Sequence, residues 1–201
     1  MLYICHRINT IEELEKVPEN CGVEVDLRDD LDGNVYIEHN PFAKGENFES
    51  YLKRYSKRKE MILNIKSERI EYAVLELLEK YKITSYFFLD SSFPMIATLT
   101  QQGNSQIALR FSEYEGMDLL ENMEGKVRWV WVDCFTKMPL TIENYERIKK
   151  MGYKICIVSP ELQGQKEKIE TYAEYLKNNK LIPDAVCTKQ YNIELWEKYF
   201  E

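Results

Sequence analysis

The chain has only two histidines, His6 and His39. Arg7 follows the first directly, and two pairs of polar residues stand two positions apart: Glu24 with Asp26, and Asn64 with Lys66. Side chains two apart on a β-strand share a face. Each pair therefore points one way if its segment is extended. Two carboxylates on a buried strand are costly unless a cation or a metal compensates them. Together with a neighbouring amide oxygen they form a hard oxygen donor set, the kind that suits Mg²⁺ or Ca²⁺. Two histidines beside such a set can act as general base and general acid. Arg7 and Lys66 supply the positive charge that a phosphoryl group needs. A structural ion network of Glu24 and Asp26 with Arg7 and Lys66 is the bland alternative, and residue types alone leave it open.

Eight short apolar runs carry these residues: 2–7, 22–28, 61–67, 85–91, 106–113, 128–135, 153–159 and 184–189. They alternate with charge-rich, amphipathic stretches. One such stretch places Ile70, Val74, Leu77 and Leu78 on one helical face; another opens at Thr141 and closes at Gly152. Shorter helices are expected at IEELEK and GMDLLENM. Eight β-then-α units predict an α/β fold, a compact (β/α)₈ TIM barrel forming one domain over residues 1–201. A doubly wound open sheet fits less well, because Ile8, Asn9 and Thr10 stand where its Gly-rich phosphate loop would be. After the second run, DDLDGNVYIEHNP predicts a tight turn at Asp32-Gly33 and a short extended segment leading to His39. Barrel active sites sit at the C-terminal strand ends. Asp90, Arg110, Glu113 and Asp133 fall at such ends too, with weaker claims; Arg110 is a possible further phosphate contact.

Composition bounds the function classes. The chain of 201 residues carries 27 basic and 34 acidic side chains, a net charge of -7. A binder that tracks a nucleic-acid backbone needs a positive footprint, so no nucleic-acid partner is expected. The basic run Lys53–Glu60 reads as a solvated helix face. No apolar stretch is long enough to span a membrane, and the first residues do not read as a secretory leader. The five cysteines are odd in number and form no C-x-x-C, as expected for buried free thiols in a reducing compartment. A cytoplasmic location is the resulting expectation.

The N-terminal third resembles the glycerophosphodiester phosphodiesterase family, within the phosphatidylinositol-specific phospholipase C-like barrels. The resemblance rests on His6-Arg7, Pro18-Glu19-Asn20, the run GVEVDLRDDLDGNVYIEHNP (22–41) and ILNIKS (62–67). It implies a phosphoric diester hydrolase acting on a small glycerol- or polyol-containing phosphodiester. His6 and His39 would be the acid–base pair, often working through a cyclic phosphate formed by the substrate's own hydroxyl. Glu24, Asp26 and Asn64 would hold a divalent metal, Mg²⁺ or Ca²⁺; Arg7 and Lys66 would contact phosphate. Three positions depart from the family pattern. Ile8 stands where Gly is usual, Asn40 where Asp follows the second histidine, and Asn64 where a third carboxylate ligand is usual. The last leaves the site one negative charge short. It motivates a rival reading, a barrel that binds a phosphodiester or a partner without efficient turnover. Another metal-assisted barrel enzyme, such as a sugar-phosphate isomerase, is the second rival.

Overall fold

The computed structural model describes residues 1–55 and 59–200. The basic run is thus seen only at its ends. Lys53 and Arg54 are exposed at the end of a helix, and residues 56–58 lie outside the described residues. The chain packs as two compact units, Ile4–Gln102 and Met1–Tyr3 with Gly103–Glu201.

The first unit holds the second half of β1 (Leu2–Cys5), then α1 (Ile11–Lys16), β2 (Gly22–Asp29), β3 (Val35–Ile37), β4 (Glu46–Asn47), α2 (Phe48–Arg54), β5 (Met61–Ile65), α3 (Glu71–Lys80), β6 (Tyr86–Leu89) and α4 (Phe93–Gln101). β1, β2, β5 and β6 pair side by side and parallel. β5 is buried along its whole length and β2 over its first six residues. Strands covered on both faces read as near-continuous apolar runs, which is why polar residues inside them stand out. β2 and β5 pair Asp26 directly with Asn64.

The expected excursion is present. Asp30 Oδ1 accepts from the N–H groups of Asp32 and Asn34, both at 2.9 Å, and Gly33 takes φ +79°. This Asx-type turn reverses the chain, and β3 then runs antiparallel to β2. β4 adds a two-residue antiparallel pairing to β3. Ile70, Val74 and Leu78 are buried along α3 as the periodicity predicts, while Leu77 is half-exposed.

The second unit repeats the alternation: β7 (Ala108–Phe111), α5 (Met117–Asn122), β8 (Trp129–Val132), α6 (Ile142–Lys150), β9 (Lys154–Val158), α7 (Ile169–Asn178), β10 (Ala185–Thr188) and α8 (Ile193–Phe200). β7, β8, β9 and β10 pair in that order, all parallel. Thr141 caps α6, and Asn144 completes the reciprocal capping box.

All eight expected strands form, and the α/β alternation is as predicted. A closed hydrogen-bonded ring is not formed among the described residues. Each strand of a barrel needs two strand partners, yet among the described residues β6 pairs with β5 alone and β7 with β8 alone. Hydrophobic rhythm counts strand–helix units; it carries no information on the tilt and stagger that decide whether edges bond. Among the described residues, no helix is long and apolar enough to cross a membrane.

Candidate active site

β1 ends at Cys5, and the chain turns sharply just beyond it. Arg7 takes φ +54°, the left-handed region that non-glycine residues rarely occupy. Three contacts hold this turn. The Arg7 N–H donates to Glu24 Oε2 at 2.7 Å, the Ile8 N–H to the Glu24 carbonyl at 2.9 Å, and the buried Tyr51 hydroxyl to the Ile8 carbonyl at 3.0 Å. A backbone strain of about 1–3 kcal/mol persists only where surrounding contacts over-determine it. Ile8 itself is buried. The turn is therefore made at Arg7, and the Ile8 side chain goes to the core.

Six of the seven sequence-predicted residues meet here. His6 Nε2 lies 3.8 Å from Glu24 Oε2. Arg7 Nε lies 3.8 Å from Asp26 Oδ2, and Lys66 Nζ lies 3.6 Å from Asp26 Oδ1. Asn64 Nδ2 donates to Glu24 Oε1 at 2.8 Å. Lys66 also pairs with Asp90 Oδ2 at 3.3 Å, across the neighbouring strand end. Glu24 and Asp26 are wholly buried. Burial, then the charge of Asp26, pushes Glu24 up to about 7, against the opposing pull of the Asn64 amide, the Arg7 N–H and Lys66.

His39 is the seventh. Its ring Nδ1 lies 3.2 Å from Asn40 Oδ1, so the imidazole rests against its neighbour in sequence. It joins the others through its main chain, by way of Arg28. The Arg28 guanidinium donates to the carbonyls of Glu38 (3.2 Å), His39 (2.8 Å) and Lys66 (3.1 Å).

Sequence reasoning missed two participants. Arg28 is one. Asn9 is the other: its Nδ2 donates to Asp26 Oδ2 at 2.9 Å, and its Oδ1 accepts the Asp26 N–H at 3.1 Å. Their partners lie 10 to 38 positions away in sequence, beyond the reach of strand spacing.

No family profile and no curated protein matches the chain. Solved structures do. A glycerophosphodiester phosphodiesterase from Thermotoga maritima superposes with a TM-score of 0.69 at 19% identity, covering 97% of each chain. One from Agrobacterium tumefaciens gives 0.66 at 12% identity over 93% of this chain and 96% of the other. One from Parabacteroides distasonis gives 0.67 at 14% identity over 98% and 85%. The chain has the glycerophosphodiester phosphodiesterase fold.

The resemblance to that family implies a divalent cation, and the donors here fit one. Asp26 Oδ1 and Asn64 Oδ1 are buried oxygens without a hydrogen-bond partner. Glu24 and Asp26 repel each other in a dry site, a condition that a cation relieves. Among the described residues no group of three or more His, Cys, Asp or Glu is placed to hold a metal. The Asn64 amide oxygen would therefore have to serve as third ligand.

The weaker candidates split. Asp90 joins the cluster through Lys66. Arg110 and Asp133 form an ion pair in the second unit, where Asp133 also accepts from Trp131 Nε1 (3.3 Å) and Gln163 Nε2 (3.0 Å). Burial pushes Asp133 up to about 6. Glu113 accepts from the Thr136 N–H and hydroxyl. These contacts give Arg110, Asp133 and Glu113 partners within the second unit.

Proposed function

We propose that this chain, acting as one domain over residues 1–201, is a phosphoric diester hydrolase for a small glycerol- or polyol-containing phosphodiester. The observation that carries the reading is the meeting of His6, Arg7, Glu24, Asp26, Asn64 and Lys66 at the ends of β1, β2 and β5. The fold of glycerophosphodiester phosphodiesterases supports it at the level of reaction class.

Arg7 and Lys66 bind the phosphodiester anion. One histidine of the pair His6 and His39 takes the proton from the substrate's own neighbouring hydroxyl as that oxygen attacks phosphorus. The other histidine protonates the departing alkoxide. A cyclic phosphate results, and water opens it with the two histidines in exchanged roles. Glu24 accepts the Arg7 N–H and lies beside His6, so it holds the turn that carries both groups. Asn9 and Asp26 fix the adjoining edge. A divalent cation held by Glu24, Asp26 and Asn64, Mg²⁺ or Ca²⁺, would neutralise charge on the phosphoryl group.

The test is a diesterase assay with glycerophosphodiesters and a chromogenic phosphodiester, with and without Mg²⁺, Ca²⁺ and Mn²⁺. Cation-stimulated cleavage is expected, and His6→Ala and His39→Ala should each lower kcat by about 10²–10⁴-fold. Unchanged rates in both variants would sink the mechanism. One feature favours a second reading: Asn64 places an uncharged amide against Glu24. Phosphodiester binding without turnover under any cation would support a binding-only protein. Turnover of a phosphomonoester alone would point to isomerase-type chemistry.

A further inference from the structure

We infer that Arg28 is a positioning residue that sets the place of His39 relative to Lys66. The inference rests on the reading of His39 as an acid–base group. Arg28 sits near the end of β2, in register with Tyr36 of β3. Beyond β3 the chain makes one more ladder contact, from the Glu38 N–H to the Asp26 carbonyl at 2.9 Å. It then runs into the exposed stretch 40–45. The carbonyls of Glu38 and His39 are taken up by the two sides of the Arg28 fork, through Nε and Nη2. The remaining arm, Nη1, takes the Lys66 carbonyl just past the end of β5. One rigid planar group thus joins the segment that carries His39 to the strand end that carries Lys66.

Arginine suits the task. Its donors are fixed in a plane, whereas the lysine ammonium is a single flexible point. No ion pair engages Arg28 among the described residues; its hydrogen bonds go to main-chain oxygens. The His39 ring has a weak anchor of its own in Asn40. Its distance from bound phosphate therefore depends on where the main chain is held. A misplacement of about 1 Å can cost on the order of 10²-fold in rate.

The experiment compares Arg28→Ala, Arg28→Gln and Arg28→Lys, each in the wild-type and His39→Ala backgrounds. Hydrogen exchange over residues 35–47 and the His39 ring signals in NMR are followed beside kcat. With two histidines in the chain, His39→Ala assigns the signals. Arg28→Ala should speed exchange in 35–47, shift the His39 ring signals and lower kcat about 10- to 100-fold. It should add little to His39→Ala, and Arg28→Lys should recover part of the loss. Gln keeps some donors, so it reports on the clamp if Ala fails to fold. Unchanged exchange and ring signals in the folded variants would overturn the inference. So would an equal loss of kcat in both backgrounds. If the wild type cleaves no phosphodiester, the proposed function has failed, while exchange and ring signals still decide whether Arg28 holds His39.

Discussion

Glu24 is the site carboxylate that its surroundings push well away from its ordinary state. It is wholly buried beside Asp26 and pushed from 4.5 up to about 7. Between those values the folded protein keeps a proton that the unfolded chain has released. The stability tied to this proton is full below about 4.5 and falls as pH rises through about 7. In chelator-treated protein, Glu24→Gln should remove that fall. The wild type should lose on the order of 1–3 kcal/mol more than the variant across this range, read from thermal unfolding at stepped pH. Parallel pH profiles would contradict the buried, repelling pair. Most of this cluster was legible because strand spacing alone puts Glu24 with Asp26 and Asn64 with Lys66 on common faces. Asn9 and Arg28 were not legible. Their contacts span 17 and up to 38 positions and depend on register and on the Arg7 turn.

At the scale of elements, β2 carries the site and depends on a small residue at its start. A Cβ on Gly22 would fall inside contact distance of the Glu60 carbonyl oxygen and 3.1 Å from Ile4 Cγ1. The first obstacle is main chain, which has little room to yield. Gly22→Ala should therefore cost about 1–3 kcal/mol in urea unfolding, with the shared register of β1, β2 and β5 disturbed. No change in the unfolding midpoint would mean that the strand start relaxes freely. The element order was readable because parallel strands buried on both faces stand out as apolar runs between charged helices. The Asp-Gly turn announced β3 in the same way. β4 escaped notice because two residues carry no periodicity. That β6 bonds β5 alone and β7 bonds β8 alone among the described residues escaped notice because edge bonding is set by strand tilt, which residue types do not encode.

For the molecule as a whole, all five cysteines are buried and none is in a disulfide, with one near each of several strands. Burial also pushes the Cys134 thiol up, away from the reactive thiolate. A chromogenic disulfide reagent should therefore label no thiol in the native protein within minutes and all five in denaturant. Rapid native labelling would contradict the packing. The grip of Arg28 has a different kind of consequence at this scale. It holds carbonyl oxygens, which every amino acid possesses, and so is indifferent to the side chains at positions 38, 39 and 66. Scaffold and reagent are thereby uncoupled: side chains there can be exchanged during divergence while the path of the chain persists. Asn40 and Asn64 stand beside two of the gripped segments and depart from the family pattern. Such a framework can keep its shape while its chemistry drifts.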